Sequence, residues 1–235
     1  MQNKYFGDIH DFYKYHFLKH ISMDNSLGVH WCLVPDENTK NDGERELTEK
    51  EISINPELYE VLVKSRSLNN RNVYNIEAYF KKHIRHGVKY FTELHTQDCN
   101  EIEYEEKAVK QLADQNIIFF DPDNGIEVSS MTKANKYKYI SYHLLQRFWN
   151  LGKSLIIYQH NDRTKGGLDN KIEKLYNLLN HRPNINIVKK GNVNYICVIN
   201  GSVEAEHYIS LDILAQLQYG KVYKVENWRG TGGIC

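Results

Sequence analysis

Apolar residues are distributed along the chain in two rhythms. Short continuous runs bounded by turn residues read as strands buried on both faces. Stretches in which apolar positions recur every three or four residues read as helices packed by one face. Within residues 4–24, Phe12, Tyr15, Leu18 and Ile21 keep helical spacing after a Gly7-Asp8 turn. Residues 28–34, Gly-Val-His-Trp-Cys-Leu-Val, predict the first strand, and a polar loop over 38–46 follows. Residues 56–66 and 73–84 predict two amphipathic helices, with Pro56 suited to a first turn. Next come a strand over 87–94, a helix over 101–114, a strand over 116–120, a short apolar-aromatic stretch over 137–141, a helix over 142–150 and a strand over 154–158. The last third predicts a helix over 169–180 and strands over 185–189 and 193–199, joined by a hairpin turn at Lys190-Gly191-Asn192. A helix over 208–219 and a strand-like 221–226 complete the pattern, and the glycine-rich 229–235 predicts a flexible tail.

Strands that alternate with helices predict an α/β fold with helices on both faces of a mostly parallel sheet, a three-layer sandwich to which the hairpin adds a late antiparallel strand. With 235 residues the expectation is a single α/β domain over 1–228, carrying a helical insertion at about 47–86.

One stretch carries most of the candidate chemistry. The run Ile117-Ile-Phe-Phe120 leads directly into Asp121-Pro122-Asp123-Asn124-Gly125. In open α/β sheets, ligands bind beyond the carboxyl ends of the strands, which places Asp121 and Asp123 where a site is expected. Two other strands end alike, in Pro35-Asp36-Glu37 and in Gln159-His160-Asn161-Asp162-Arg163. Asp36, Asp42, Asp121, Asp123, His160, Asp162 and Arg163 are then expected along one crevice, with the Asp8–Lys14 segment as a wall. Asp8, His10, Asp11 and Lys14 crowd a predicted helix start, and Asp11 and Lys14 are spaced to touch on one helix side. The plainer readings are that the aspartates cap turns and that Asp11–Lys14 is a surface pair of little energetic weight.

Composition narrows the class. Lys plus Arg equals Asp plus Glu at 30 each, so no global basic field points to nucleic acid, although a local patch over Arg66–His86 could contact phosphates. Cys32, Cys99, Cys197 and Cys235 show no CxxC spacing, which argues against a zinc knuckle or redox pair. Two of them lie in apolar runs, as buried free thiols of a reducing compartment do. No signal-peptide core and no run of membrane-spanning length is present, so a cytoplasmic protein is expected. The absence of Gly-x-Ser-x-Gly makes a serine triad a poor candidate.

The pairing of Gly7-x-x-x-Asp11-x-x-Lys14 with an apolar strand ending in Asp121-Pro122 resembles the RlmJ-like ribosomal-RNA adenine-N6 methyltransferases. In that family a Gly-Asn-x-x-Asp-x-x-Lys-His segment opens the chain and an Asp-Pro-Pro-Tyr motif ends the fourth strand. The same two signatures also resemble a family of bacterial and phage proteins to which no activity is attached. The first resemblance implies a Rossmann-like methyltransferase fold, S-adenosylmethionine as cofactor, and a nucleic acid or nucleotide as substrate. It implies that Asp121 accepts a hydrogen bond from an exocyclic amine and that Lys14 acts beside it, and the crevice adds Asp123 and His160 to these two as catalytic candidates. Gly7 and Asp11 of the matched motif would contact the cofactor, and by position Asp8, Asp36, Asp42 and Gly43 are further cofactor candidates and Asn124, Asp162 and Arg163 substrate candidates. Two departures stand out. Asp123 and Asn124 replace the family's proline and aromatic, and Val34–Gly43 replaces the glycine-rich cofactor loop.

The residues alone also admit a metal-dependent phosphoesterase or nuclease. There Asp121, Asp123, Asp8 and Asp11 would hold Mg²⁺ or Mn²⁺, His160 would act as acid or base, and Arg163 would bind a phosphate. A third possibility is a non-catalytic nucleotide-binding protein on the same fold.

Overall fold

The structure, a computed structural model, describes residues 1–22, 24–37, 45–67, 70–161, 167–180, 183–200 and 222–228. The expected 208–219 helix, the 229–235 tail, and Asp42, Gly43, Asp162 and Arg163 lie outside the described residues.

Asp8 starts helix α1 (Ile9–Ile21) by accepting the backbone N–H of Asp11 at 2.9 Å, the usual way a short carboxylate satisfies a free helix amide. Strand β1 (Leu27–His30) follows. The sequence pattern extended this strand to 34, but Cys32 takes a left-handed φ of 47°, which turns the chain out of the sheet. Between β1 and β2 lie α2 (Glu49–Ile54), α3 (Pro56–Ser67), a 3-10 turn over Val73–Ile76 and α4 (Glu77–His83). Helix α2 was not expected. Its start is signed by Thr48 and Glu51, which form a capping box. The remaining elements are β2 (Val88–Phe91), α5 (Glu101–Leu112), β3 (Ile117–Phe120), α6 (Tyr142–Asn150), β4 (Ser154–His160), α7 (Gly167–Leu178), β5 (Asn184–Lys190), β6 (Val193–Ile199) and β7 (Lys224–Asn227). The stretch 137–141 is not a strand. It ends a 3-10 turn, and only Ile140 bridges to Ile126.

Among the described residues, seven strands form one sheet in the order β2-β1-β3-β4-β6-β5-β7. The first four run parallel, with Leu27 opposite both Val88 and Ile117, and Ile117 opposite Ser154. The other three pairings are antiparallel, so the sheet is mixed rather than mostly parallel. The cause is local: the short turn around Gly191 can join β5 and β6 only antiparallel. β6 then lies against β4, and β7 adds to the free edge of β5.

Strand residues feed two hydrophobic clusters by alternation. Ile117, Phe119, Ile156 and Tyr158 join one, with Phe12 and Leu18 of α1, Leu58 and Leu62 of α3, and Phe80 of α4. Ile118, Phe120, Leu155 and Ile157 join the other, with residues of α5, α6 and α7 such as Ala108, Phe148 and Leu175. All four residues of β3 are fully buried, as its unbroken apolar run demands. Cys32 and Cys197 are buried free thiols. Among the described residues no helix is long and apolar enough to cross a membrane.

Candidate functional site

The chain passes from β1 to β2 on one side and places β3 on the other. The order therefore reverses between β1 and β3, and their carboxyl ends lie side by side, with Asp121 N donating to His30 O at 3.1 Å. Such a reversal opens a crevice at that sheet edge. Here its inner part is filled. The Met1 amino nitrogen donates to Cys32 O at 3.1 Å and to Asp121 O at 3.0 Å, and Val34 N donates to Met1 O at 3.0 Å. Gln2 extends this plug, with its Nε2 donating to Asp123 Oδ2 at 3.1 Å.

Beneath the plug lies an ion triad. Lys14 Nζ reaches Asp11 Oδ1 at 2.7 Å and Asp121 Oδ2 at 2.7 Å, and all three side chains are 3% exposed. The second oxygen of Asp11 accepts Gly7 N at 2.8 Å. Gly7, with φ 93°, lets the chain turn into α1 and sits under the Arg66 side chain. The Tyr158 ring lies 4.8 Å from Lys14 Nζ, a cation–π contact from the same strand edge. Burial opposes the Lys14 charge, but the two carboxylates outweigh it and hold the ammonium well above the ordinary lysine range. Burial likewise raises Asp11, against the pull of Lys14. Asp8 is pushed up to about 7, first by burial and then by the charge of Asp11.

Above the triad opens a cleft of about 680 Å³. Asp8, Asp11, Lys14, Asp121, Asp123, Asn124 and His160 line it together, so seven of the expected residues converge. Gly7 and Asp36 are not in its lining. Asp36 is exposed and accepts Lys4 N at 3.3 Å. His160 belongs to β4 rather than to the loop after it. Its ring lies 6.2 Å from that of His10, nearly perpendicular. Desolvation lowers His10 to about 4, with His160 and Lys14 adding to the effect. Desolvation lowers His160 too, opposed by Asp121.

The sequence reading missed Gln2, Arg45, Lys138, Tyr158 and Asn192, which also line the cleft. Tyr158 carried a readable signal, as the last ring of an apolar strand before a polar cluster. Lys138 did not: it is brought in by the bridge at Ile140 and pairs with Glu37. Among the described residues no group of three or more His, Cys, Asp or Glu side chains is arranged to hold a metal ion. No family model matches the chain, and neither a curated protein nor a solved structure matches it.

Proposed function

We propose that the protein is an enzyme acting on nucleic acid or nucleotides, a methyltransferase of the Rossmann-like type working from the cleft over Asp121. One observation carries this reading. The two motifs of the resemblance, Gly7-x-x-x-Asp11-x-x-Lys14 and Asp121-Pro122, meet in a single ion triad although Lys14 and Asp121 are 107 residues apart. The late hairpin beside β4 and the helices packed in both hydrophobic clusters support the three-layer architecture that goes with it.

S-adenosylmethionine carries a zwitterionic methionine end, a sulfonium and ribose hydroxyls. The cleft sets Asp8 and Asp123 beside Arg45 and Lys138, a mixed lining that suits such a ligand. The loop after β1 does not offer a backbone cradle, because Met1 fills that crevice and Trp31–Val34 are buried. The donor would therefore be held by the side chains of Asp8, Asp123, Arg45 and Lys138, and when bound it supplies the methyl group. Lys14 fixes one oxygen of Asp121, which orients the carboxylate to accept a hydrogen bond from an exocyclic amine. His160, whose protonated form desolvation disfavours, lines the same cleft and would take the proton released.

The divalent-metal reading needs carboxylates turned toward a common metal. Asp11 and Asp121 are turned toward Lys14 instead, so the geometry favours the methyl-donor reading. Thermal-shift titration with S-adenosylmethionine, S-adenosylhomocysteine, Mg²⁺ and Mn²⁺ in parallel tests it. A ligand at one hundred times its dissociation constant stabilises by about 2.7 kcal/mol. A shift with both sulfur compounds and loss of that shift in Asp123→Ala is expected. A shift with metal and none with either sulfur compound overturns the proposal.

A further inference from the structure

Helix α1 carries further chemistry at two positions that the cleft does not use. His16 and His20 are one turn apart, at the i, i+4 spacing by which two histidines on one helix face reach the same metal ion. Their ring centroids lie 4.4 Å apart, with the planes at 60°. Neither residue lines the cleft over Asp121.

Both rings are held, and both keep a nitrogen free. His20 Nδ1 lies 2.7 Å from His16 O. A backbone carbonyl only accepts, so Nδ1 carries the hydrogen and Nε2 is left as a bare lone pair. Metal sites orient their histidines in this way, through the ring nitrogen that does not bind the ion. His16 is 9% exposed, and its ring packs nearly parallel to those of Phe12 and Tyr223, 6.1 and 6.2 Å away. Its Nδ1 is shut off from solvent and has no hydrogen-bond partner among the described residues. A buried ring nitrogen left alone marks a place for a water or an ion. Burial lowers His16 to about 3, with the charges of His20, Lys19 and Lys190 adding to the effect, so the ring is neutral and available as a ligand at ordinary pH.

Geometry and charge select the ion. Imidazoles suit Cu²⁺, Ni²⁺ and Zn²⁺, whereas Mg²⁺ and Ca²⁺ take oxygen ligands. With metal–nitrogen bonds of about 2.0 Å, two cis ligands of a square-planar ion hold their ring centroids roughly 4.5 Å apart, and two ligands of a tetrahedral ion roughly 5 Å apart. The 4.4 Å separation fits the first. Lys19 and Lys190 oppose any cation here, which favours the ions that bind imidazole most strongly, Cu²⁺ ahead of Ni²⁺. Their ammonium groups are engaged by other rings: Lys190 Nζ lies 3.9 Å from the centre of Tyr13, and Lys19 Nζ 5.7 Å from that of Tyr79.

We propose that His16 and His20 form a two-histidine site on α1 for a square-planar dication, Cu²⁺ first, with water at the remaining positions. Two protein ligands make an open site rather than a closed structural one, so no third side chain is required. The site is separate from the cleft and does not depend on the methyltransferase reading.

The test uses the full chain with one equivalent of Cu²⁺. Electron paramagnetic resonance, with pulsed detection of nitrogen couplings, should show two equatorial imidazoles. Calorimetry should rank Cu²⁺ tighter than Ni²⁺ and Zn²⁺. His20→Ala, at the half-buried ring, should weaken Cu²⁺ binding by about tenfold or more, and His16→Phe, which keeps an aromatic ring in the stack, should do the same. Circular-dichroism melts check that both variants fold, and His20→Ala decides alone if His16→Phe does not. No binding of Cu²⁺, a spectrum with fewer than two imidazoles, or an affinity unchanged in His20→Ala overturns the inference. Zn²⁺ binding as tight as Cu²⁺ binding overturns the square-planar assignment. Binding that survives His20→Ala and is lost in His10→Ala puts the ion at the His10–His160 pair of the cleft, and overturns the inference as well.

Discussion

Replacing Lys14 with methionine removes the charge at the centre of the triad and keeps most of the volume. In the native protein the ammonium lies 2.7 Å from each of two carboxylates, all three groups nearly inaccessible to water. At an effective dielectric constant of about 20, each contact is worth roughly 6 kcal/mol of gross Coulomb attraction. Most of that offsets the cost of desolvation, so the net figure is smaller. Breaking a buried pair by removing one partner typically costs about 3–5 kcal/mol, because the other partner is left charged and unpaired. Here two partners are left, which puts the expectation near the upper end. The loss should depend on pH in a defined direction. In the variant, Asp11, already raised by burial and now without its lysine, can shed its charge by taking up a proton, so the deficit against wild type should shrink on going from pH 8 to pH 5. In the wild type, the folded-state pKa of Lys14 is raised, so its contribution is fully present below the ordinary lysine pKa and is lost as pH rises through the folded value. Urea denaturation at pH 5 and pH 8 measures both effects. A loss below about 1 kcal/mol, or one of equal size at the two pH values, would refute the reasoning.

Three other outcomes follow from the same geometry. Asp8 has its folded-state pKa raised from 3.8 to about 7, so the folded state binds more protons than the unfolded one in that window and stability falls as pH rises through it. Asn caps a helix about as well as Asp, so Asp8→Asn should flatten that slope and stabilise the protein at pH 8 by up to ~4 kcal/mol; chemical denaturation from pH 4 to 8 that shows an unchanged slope would count against the burial argument. Gly125→Ala meets both a positive φ and the Gln159 side chain, and should cost more than about 1 kcal/mol in a thermal melt, against no measurable change if the turn can relax. Tyr13→Phe removes the 2.6 Å hydrogen bond to the Glu51 carboxylate that ties α1 to the start of α2, and should cost about 1–3 kcal/mol in urea denaturation.

The strand that matters most was legible because it is buried on both faces. Ile117–Phe120 has no polar position, and the turn residues at 121–125 end it at one place. The start of α1 was legible for a similar reason: a short carboxylate precedes an apolar repeat, and Asp8 does cap it. What could not be read was which groups meet across the sheet. Asp11 and Lys14 are spaced like any surface pair, and nothing within α1 says that Asp121 lies against them. That contact depends on α1 packing over the sheet edge where β1 and β3 diverge. The same limit explains the sheet. Alternating elements suggested mostly parallel strands, yet the direction of β6 and β7 is set by one tight turn and by which sheet edge is open. Local conformation accounts for the rest. Residues 137–141 are apolar enough for a strand, but they pass the Asp121–Gly125 turn at one bridge only.

A buried ion triad is a poor device for stability, since well-packed apolar residues of the same volume do as well or better. Helix α1 does not need one, because Phe12, Tyr15, Phe17, Leu18 and Ile21 already anchor it in the core. The triad also does not bind the helix to a random part of the sheet. It holds the carboxylate that stands at the reversal of strand order, at the floor of the cleft. Lys14 is only 3% exposed and lies 2.7 Å from both carboxylates, so its charge serves Asp121 and Asp11 rather than an incoming anion. This arrangement fixes Asp121 in position while Asp123, the next carboxylate along the chain, lines the cleft above it. A fixed acceptor below and an accessible acceptor above divide two tasks between two aspartates. The proposed reaction uses that division: Asp121 is held in place to accept a hydrogen bond from an exocyclic amine, and Asp123 helps to hold the donor above it.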